Sequence, residues 1–179
     1  MNIDNQFVRL DDLSIDHAQS LSEWVLDEET CTWWLHEPPT TLEKIESAIT
    51  RALALRDTQE RQPFAIYSKP LGKYVGETSF WFEGAGIEIG STWMCREVRG
   101  TEFNQQVKQL MLDTAFNKMG YDMVTLQTDS RNLRSQRAIE KIGGIRQEIR
   151  PNDKITWSGH SRDSIIYHVH KNRARQMFD

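Results

Sequence analysis

The stretch REVRGTEFNQQVKQLMLDTAF, Arg96 to Phe116, reads as a loop running into a helix, with arginines and a glycine at the entrance. The first amides of a helix lack intrahelical partners, and the macrodipole adds partial positive charge there, so a diphosphate is a natural guest. Arg96 and Arg99 add full charges, and Gly100 lets backbone approach closely. Glu102 sits in the middle of that entrance, where a carboxylate would repel the same guest. An ordinary solvated loop with a glycine turn accounts for the same residues, so the rest of the chain has to decide.

Other residues offer weaker chemistry. Asn132 and Ser135 lie three apart and so share a face of a short helix, with Ile139 a turn further on. Arg131, Arg134, Arg137 and Lys141 make a basic cluster around that helix, usually a solvated face. His168 and His170 alternate along a strand near His160 and Asp163, but two histidines on a terminal strand are ordinarily surface groups, and no metal is expected. Trp33, Trp34, Trp81 and Trp93 would serve either as core or as walls of a pocket.

The elements that must position these groups follow from periodicity. Phe7 to Leu10 reads as a strand, and Ser14 caps a first helix with Ile15, Ala18, Leu21, Trp24 and Val25 on its face. Thr40 and Glu43 form a capping-box pattern that opens a second helix along Leu42, Ile45, Ile49, Ala52 and Leu53. The segment TWWLHE between them is irregular. From Pro63 the period changes to two: PFAIY, a turn at Leu71-Gly72-Lys73, YVGETSFWF, a turn at Glu83-Gly84-Ala85-Gly86, and IEIGSTWM make an antiparallel meander. The long helix carries Phe103, Val107, Leu110, Met111, Thr114 and Ala115 on one stripe and stops at Gly120. Met123 to Asp129 is a strand, Asn132 caps the short helix that ends at Gly143-Gly144, and IRQEI and SIIYHVH are closing strands. The order predicts an α/β (α+β) fold, a mixed sheet with helices on its faces.

The chain has 179 residues, the size of one domain spanning 1–179, with 38% hydrophobic and 27% charged residues. A net charge of -4 argues against a nucleic-acid partner. Two cysteines, Cys31 and Cys95, lie in no metal spacing and suggest a reducing, cytoplasmic setting. No apolar run reaches the roughly 18 residues of a membrane span, and the N-terminus lacks a signal pattern, so no membrane partner is expected.

The ordered set VRL, PFAI, VGETSF, EIG, RGTEFN, NLRSQRAIEKIG and RDSIIYHV resembles the GNAT N-acetyltransferase superfamily, and within it the branch of bacterial ribosomal-protein N-terminal acetyltransferases. The resemblance implies a mostly antiparallel sheet splayed between two neighbouring strands, with acetyl-coenzyme A laid in the gap and no metal. It implies cofactor contacts from Met94, whose region supplies the amide that polarises the acyl carbonyl, from the loop Arg99, Gly100, Thr101, Glu102, Phe103 and Asn104, and from Asn132 and Ser135. Glu102 replaces the loop's central glycine and Asn104 its last small residue. The loop is expected to bind nonetheless, with Glu102 turned to solvent, because the cradle donors are backbone groups.

Many members place a tyrosine acid at the position of Ile139, which cannot donate. In the nearest branch the serine matching Ser135 is the suggested donor to the departing thiolate; an ordinary helix serine bonded back to a carbonyl is the plain alternative. The acceptor ammonium also needs a base. Glu88, flanked by Ile87 and Ile89 and so on the opposite strand face, is the preferred candidate; a solvated sheet residue and a water relay to bulk solvent stand as the alternatives. Gln127 stands where some members carry a basic glutamate. An acyl-Cys95 intermediate finds no activating histidine.

The expected activity is direct transfer of an acetyl group from acetyl-coenzyme A to a primary amine in a ternary complex. The acceptor is a protein N-terminus or, second, a small amine; acidity at Glu23, Asp27, Glu28, Glu29 and Glu37 would favour a cationic one. The rival is a non-catalytic acyl-coenzyme A binding module, motivated by Glu102, Gln127 and Ile139. Oligomeric state is open, a homodimer being one outcome.

Overall fold

The computed structural model describes residues 3–25 and 31–173, excluding the side chains of Trp24 and Val25. Strands β1 (Ile3–Asp4) and β2 (Val8–Asp12) lead to a 3-10 turn at Ile15–His17, helix α1 (Ala18–Val25) and helix α2 (Leu42–Asp57). Strands β3 (Arg61–Ser68), β4 (Lys73–Glu83) and β5 (Gly86–Met94) follow. Then come helix α3 (Phe103–Asp113), strand β6 (Met123–Asp129), helix α4 (Leu133–Lys141), and strands β7 (Ile145–Ile155) and β8 (Ser161–His170).

The strands form one sheet in the order β1-β2-β3-β4-β5-β6-β8-β7. All neighbours are antiparallel except β5 and β6, which run parallel. Strand alternation sends Ala65 to one face and Phe64 and Ile66 to the other. Ala65 packs with Ala18, Leu21, Ile45 and Ile49 of α1 and α2, whereas Phe64 and Ile66 join Val107 and Met111 of α3, Ile139 of α4 and Ile142 just beyond it. Helices on both faces bury both sides of the sheet's middle, the arrangement expected for this fold.

The capping signals hold, with the cap of α2 one residue later than the pattern implied. Thr41 accepts from the Lys44 amide at 3.3 Å, and Asn132 Oδ1 accepts from the Ser135 amide at 3.0 Å. Four further details differ from expectation. The segment after Ser14 begins as a 3-10 turn in which His17 Nδ1 takes the Ser14 amide at 3.0 Å, so Ile15 is turned outward and is 40% exposed. Leu42, in the first turn of α2, is likewise 40% exposed. The long helix widens into a π turn over Thr114–Lys118, where Thr114 Oγ1 donates to Leu110 O at 2.8 Å. Strand β7 runs to Ile155 rather than stopping at Ile149, because it continues along β8 past register breaks. Among the described residues, no helix is long and apolar enough to cross a membrane.

Candidate active site

Strands β5 and β6 are in register only at Glu88 opposite Thr125, among the described residues. Beyond that point they bound a cleft of about 1750 Å³, lined by the later halves of both strands, the start of α3 and the face of α4. Usual small-ligand pockets measure roughly 300–1,000 Å³, so this one has room for two substrates at once. Strand β5 is also broken on its other side. Glu77 faces Trp93 and Ser79 faces Gly90, so Ser91 and Thr92 together oppose Thr78, and Ser91 has a φ of 50°. Such a bulge leaves strand backbone unpaired and re-aims side chains. It lies just before Met94, whose side chain is in the core and whose carbonyl accepts from Arg99 Nε at 2.8 Å.

The loop entering α3 keeps its donors open. Gly100 has a φ of 73°, and a Cβ built on it would meet nothing within 4 Å, so it turns the chain over open cleft. Among the described residues, the amides of Gly100, Thr101, Glu102 and Asn104 make no backbone hydrogen bond. Phe103 differs: its amide is accepted by Thr101 Oγ1 at 3.2 Å and its ring is in the core. Glu102 is exposed at the cleft rim as the N-cap of α3, and its side chain makes no capping bond. These open donors at the head of a helix suit a diphosphate, so the loop fits the group expected there.

Glu88 lines the cleft and also a second cavity of about 370 Å³ shared with His168, Glu148 and Glu83. Its Oε2 accepts from Gln127 Nε2 at 2.7 Å, and Gln127 Oε1 accepts from Lys154 Nζ at 2.9 Å. Gly90 makes room for the carboxylate, since a Cβ there would lie 2.7 Å from Glu88 Oε1. Burial pushes the Glu88 carboxyl above the ordinary carboxylate value, opposed by the Gln127 bond and the charges of Lys154, Arg162 and Lys108.

Lys108 was missed by sequence reasoning. It follows Val107 at the border of the α3 stripe, where a lysine reads as a solvated flank, yet it is 8% exposed. Its Nζ donates to Thr92 Oγ1 at 2.8 Å in the bulge, and Thr92 pairs with Thr78 at 2.7 Å. Burial pulls the Lys108 ammonium down to about 8, against the pull of Glu88. A half-buried ion pair, Arg61 with Glu77, was also missed; it too lines the cleft.

Ser135, Ile139, Arg134 and Arg137 present α4 to the cleft, and Asn132 is engaged as its N-cap. Arg131 instead pairs with Asp129 at 3.1 Å and stacks over Trp33, 5.5 Å from the ring centroid. Burial works against the Asp129 carboxylate, but the Arg131 bonds hold it below its usual range. All four tryptophans singled out from the sequence line the cleft, with Trp34 and Trp93 in contact at 5.9 Å between centroids. The Trp34 segment is tied to the β7–β8 turn, because Trp157 donates its amide to Trp34 O at 3.1 Å and its indole N–H to Cys31 O at 2.9 Å. Cys95 is in the core. Among the described residues no group of three or more His, Cys, Asp or Glu side chains is placed to hold a metal. Asp27, Glu28 and Glu29 lie outside the described residues.

Residues 8–145 match the Acetyltransferase (GNAT) domain family. The chain belongs to the GNAT acetyltransferase family. No curated protein matches it in sequence. Among solved structures, a T. thermophilus protein described as an acetyltransferase is 25% identical, with a TM-score of 0.86 over 98% of this chain and 92% of its own. A GCN5-related N-acetyltransferase from Brucella melitensis is 22% identical, with a TM-score of 0.89 over 99% and 81% of the two chains. RimL, a ribosomal L7/L12 α-N-protein acetyltransferase solved in complex with coenzyme A, is 15% identical, with a TM-score of 0.82 over 95% and 98%. The last two show the fold alone. The GNAT family uses acetyl-coenzyme A as acyl donor.

Proposed function

We propose that this GNAT N-acetyltransferase moves the acetyl group of acetyl-coenzyme A directly onto a primary amine, with a protein N-terminus as acceptor. One observation carries the reading: the open amides at the head of α3, the Ser135 hydroxyl and the Glu88 carboxylate all line one continuous cleft. RimL, whose name gives a ribosomal-protein N-terminus as substrate, supports the choice of acceptor.

Acetyl-coenzyme A supplies the activated acyl group as a thioester. The amides of Gly100, Thr101, Glu102 and Asn104 hold its diphosphate, with Arg134 and Arg137 adding charge along α4. Glu88 takes the proton that the acceptor ammonium must lose before attack, and a carboxyl raised by burial is a better base than a solvated one. Ser135 Oγ gives a proton to the leaving sulfur. Holding both substrates in one site turns a two-body encounter into an oriented reaction.

The test is thiol release from acetyl-coenzyme A with a panel of N-terminal peptides and small amines. The reading predicts acceptor-dependent release, fastest with peptides, and intersecting double-reciprocal lines. Cofactor binding with no release on any acceptor would contradict it and leave an acyl-coenzyme A binding module.

A further inference from the structure

Gln127 occupies a place where the sequence alone suggested a lost base, yet it is the residue that touches Glu88. Its amide orientation is set by chemistry. Lys154 Nζ has donors only, so the atom of Gln127 facing it at 2.9 Å is the carbonyl oxygen, and the NH₂ group points at Glu88 across 2.7 Å. An N–H aimed at a carboxyl oxygen stabilises the ionised form. It also occupies Oε2, which leaves Oε1, on the Gly90 side, as the oxygen open to a proton.

We propose that Gln127 and Lys154 are positioning residues for Glu88, a relay in which Lys154 fixes the Gln127 amide and that amide keeps the carboxylate ionised and aimed into the cleft. The proposal rests on the reading of Glu88 as base. Lys154 comes from β7, Gln127 from β6 and Glu88 from β5, so the relay spans the wedge between the splayed strands and uses the length of β7 that the sequence pattern had cut short.

Other charges face Glu88 as well. Lys108 reaches toward it from α3 and Arg162 from β8. Glu83 from the end of β4, Glu148 and Arg150 from β7, and His168 from β8 share the second cavity with it. Arg150 is paired with Glu148 at 2.6 Å, which partly cancels that pair's field. Lys108 is bonded to Thr92, and Arg162 Nε to Ser164 Oγ at 2.9 Å. Among the described residues Gln127 alone donates a hydrogen bond to the carboxylate.

The experiment is a ¹³C-NMR titration of protein labelled at glutamate Cδ, with the Glu88 resonance assigned by its loss in Glu88→Gln. The midpoint is expected to rise by about one pH unit in Gln127→Met, which removes the donor, and by less in Lys154→Met, which frees the amide to turn. Lys154→Arg keeps a donor and should stay near wild type. Unchanged midpoints in both methionine variants would overturn the relay. Should Gln127→Met fail to fold, the comparison of Lys154→Met with Lys154→Gln decides: both lose the charge, and only the second keeps an N–H for the Gln127 carbonyl, so equal midpoints in the two would overturn the relay; the side chain is 34% exposed near the sheet edge. The base reading fails separately: Glu88→Gln would then keep the wild-type acid limb of kcat/KM with an N-terminal peptide, and the relay's catalytic purpose would go with it.

Discussion

Lys108 Nζ donates to Thr92 Oγ1 across 2.8 Å, tying the second turn of α3 to the bulge of β5. Burial makes the ammonium costly there, and no carboxylate sits within salt-bridge distance of it among the described residues. The folded-state value of about 8 lies below the ordinary 10.5, so the unfolded chain binds this proton more tightly. The penalty is therefore complete below pH 8 and is relieved as pH rises from there toward 10.5.

Lys108→Met is accordingly expected to raise stability at pH 7. The upper bound is about 3 kcal/mol, reduced by roughly 1 kcal/mol for the lost bond to Thr92. The gain should shrink between pH 8 and pH 10 in urea unfolding. Turnover should fall in the same variant, because Lys108 lines the cleft and its charge helps keep the Glu88 carboxylate ionised.

Gly100→Ala isolates the backbone of the phosphate loop. The new methyl meets nothing within 4 Å, so the cost is that of a φ of 73° alone. A strain of about 1–2 kcal/mol predicts weaker acetyl-coenzyme A binding by on the order of tenfold, measured by calorimetry.

Glu102→Gln tests how far the misplaced carboxylate matters. The group is exposed, so solvent and salt screen it. Affinity for acetyl-coenzyme A should improve by no more than about fivefold at low salt, and the gain should vanish at high salt.

Ser135→Ala separates proton donation from binding. Ser135 lines the cleft while its amide is already satisfied by Asn132, so the cap survives the change. kcat should drop by roughly 10²-fold with acetyl-coenzyme A affinity unchanged. Asn132→Ala should instead cost about 1 kcal/mol of stability through the lost cap.

Much of this architecture was written locally. Thr41 and Asn132 mark their helices to within a residue because a cap is a contact between near neighbours, and β6 runs from Met123 to Asp129 as its alternation implies. The groups that escaped are those set by distant contacts. Lys108 is held at Thr92, which is itself bonded to Thr78 of the next strand; Gln127 finds Glu88 only when the wedge brings β5 beside β6. The bulge at Ser91 and Thr92 follows Gly90, but a strand glycine alone does not say which residues double up opposite Thr78, and β7 is prolonged by pairing with β8 rather than by apolar alternation. Ile15 and Leu42 went astray for a related reason: apolar spacing does not say how the first turn enters its helix.

The most direct measurement is a crystal structure with acetyl-coenzyme A bound. The account predicts the diphosphate within hydrogen-bond distance of the amides of Gly100 to Asn104 and the thioester between the Glu88 and Ser135 side chains. A diphosphate bound elsewhere, with the head of α3 bare or closed off by Glu102, would contradict it.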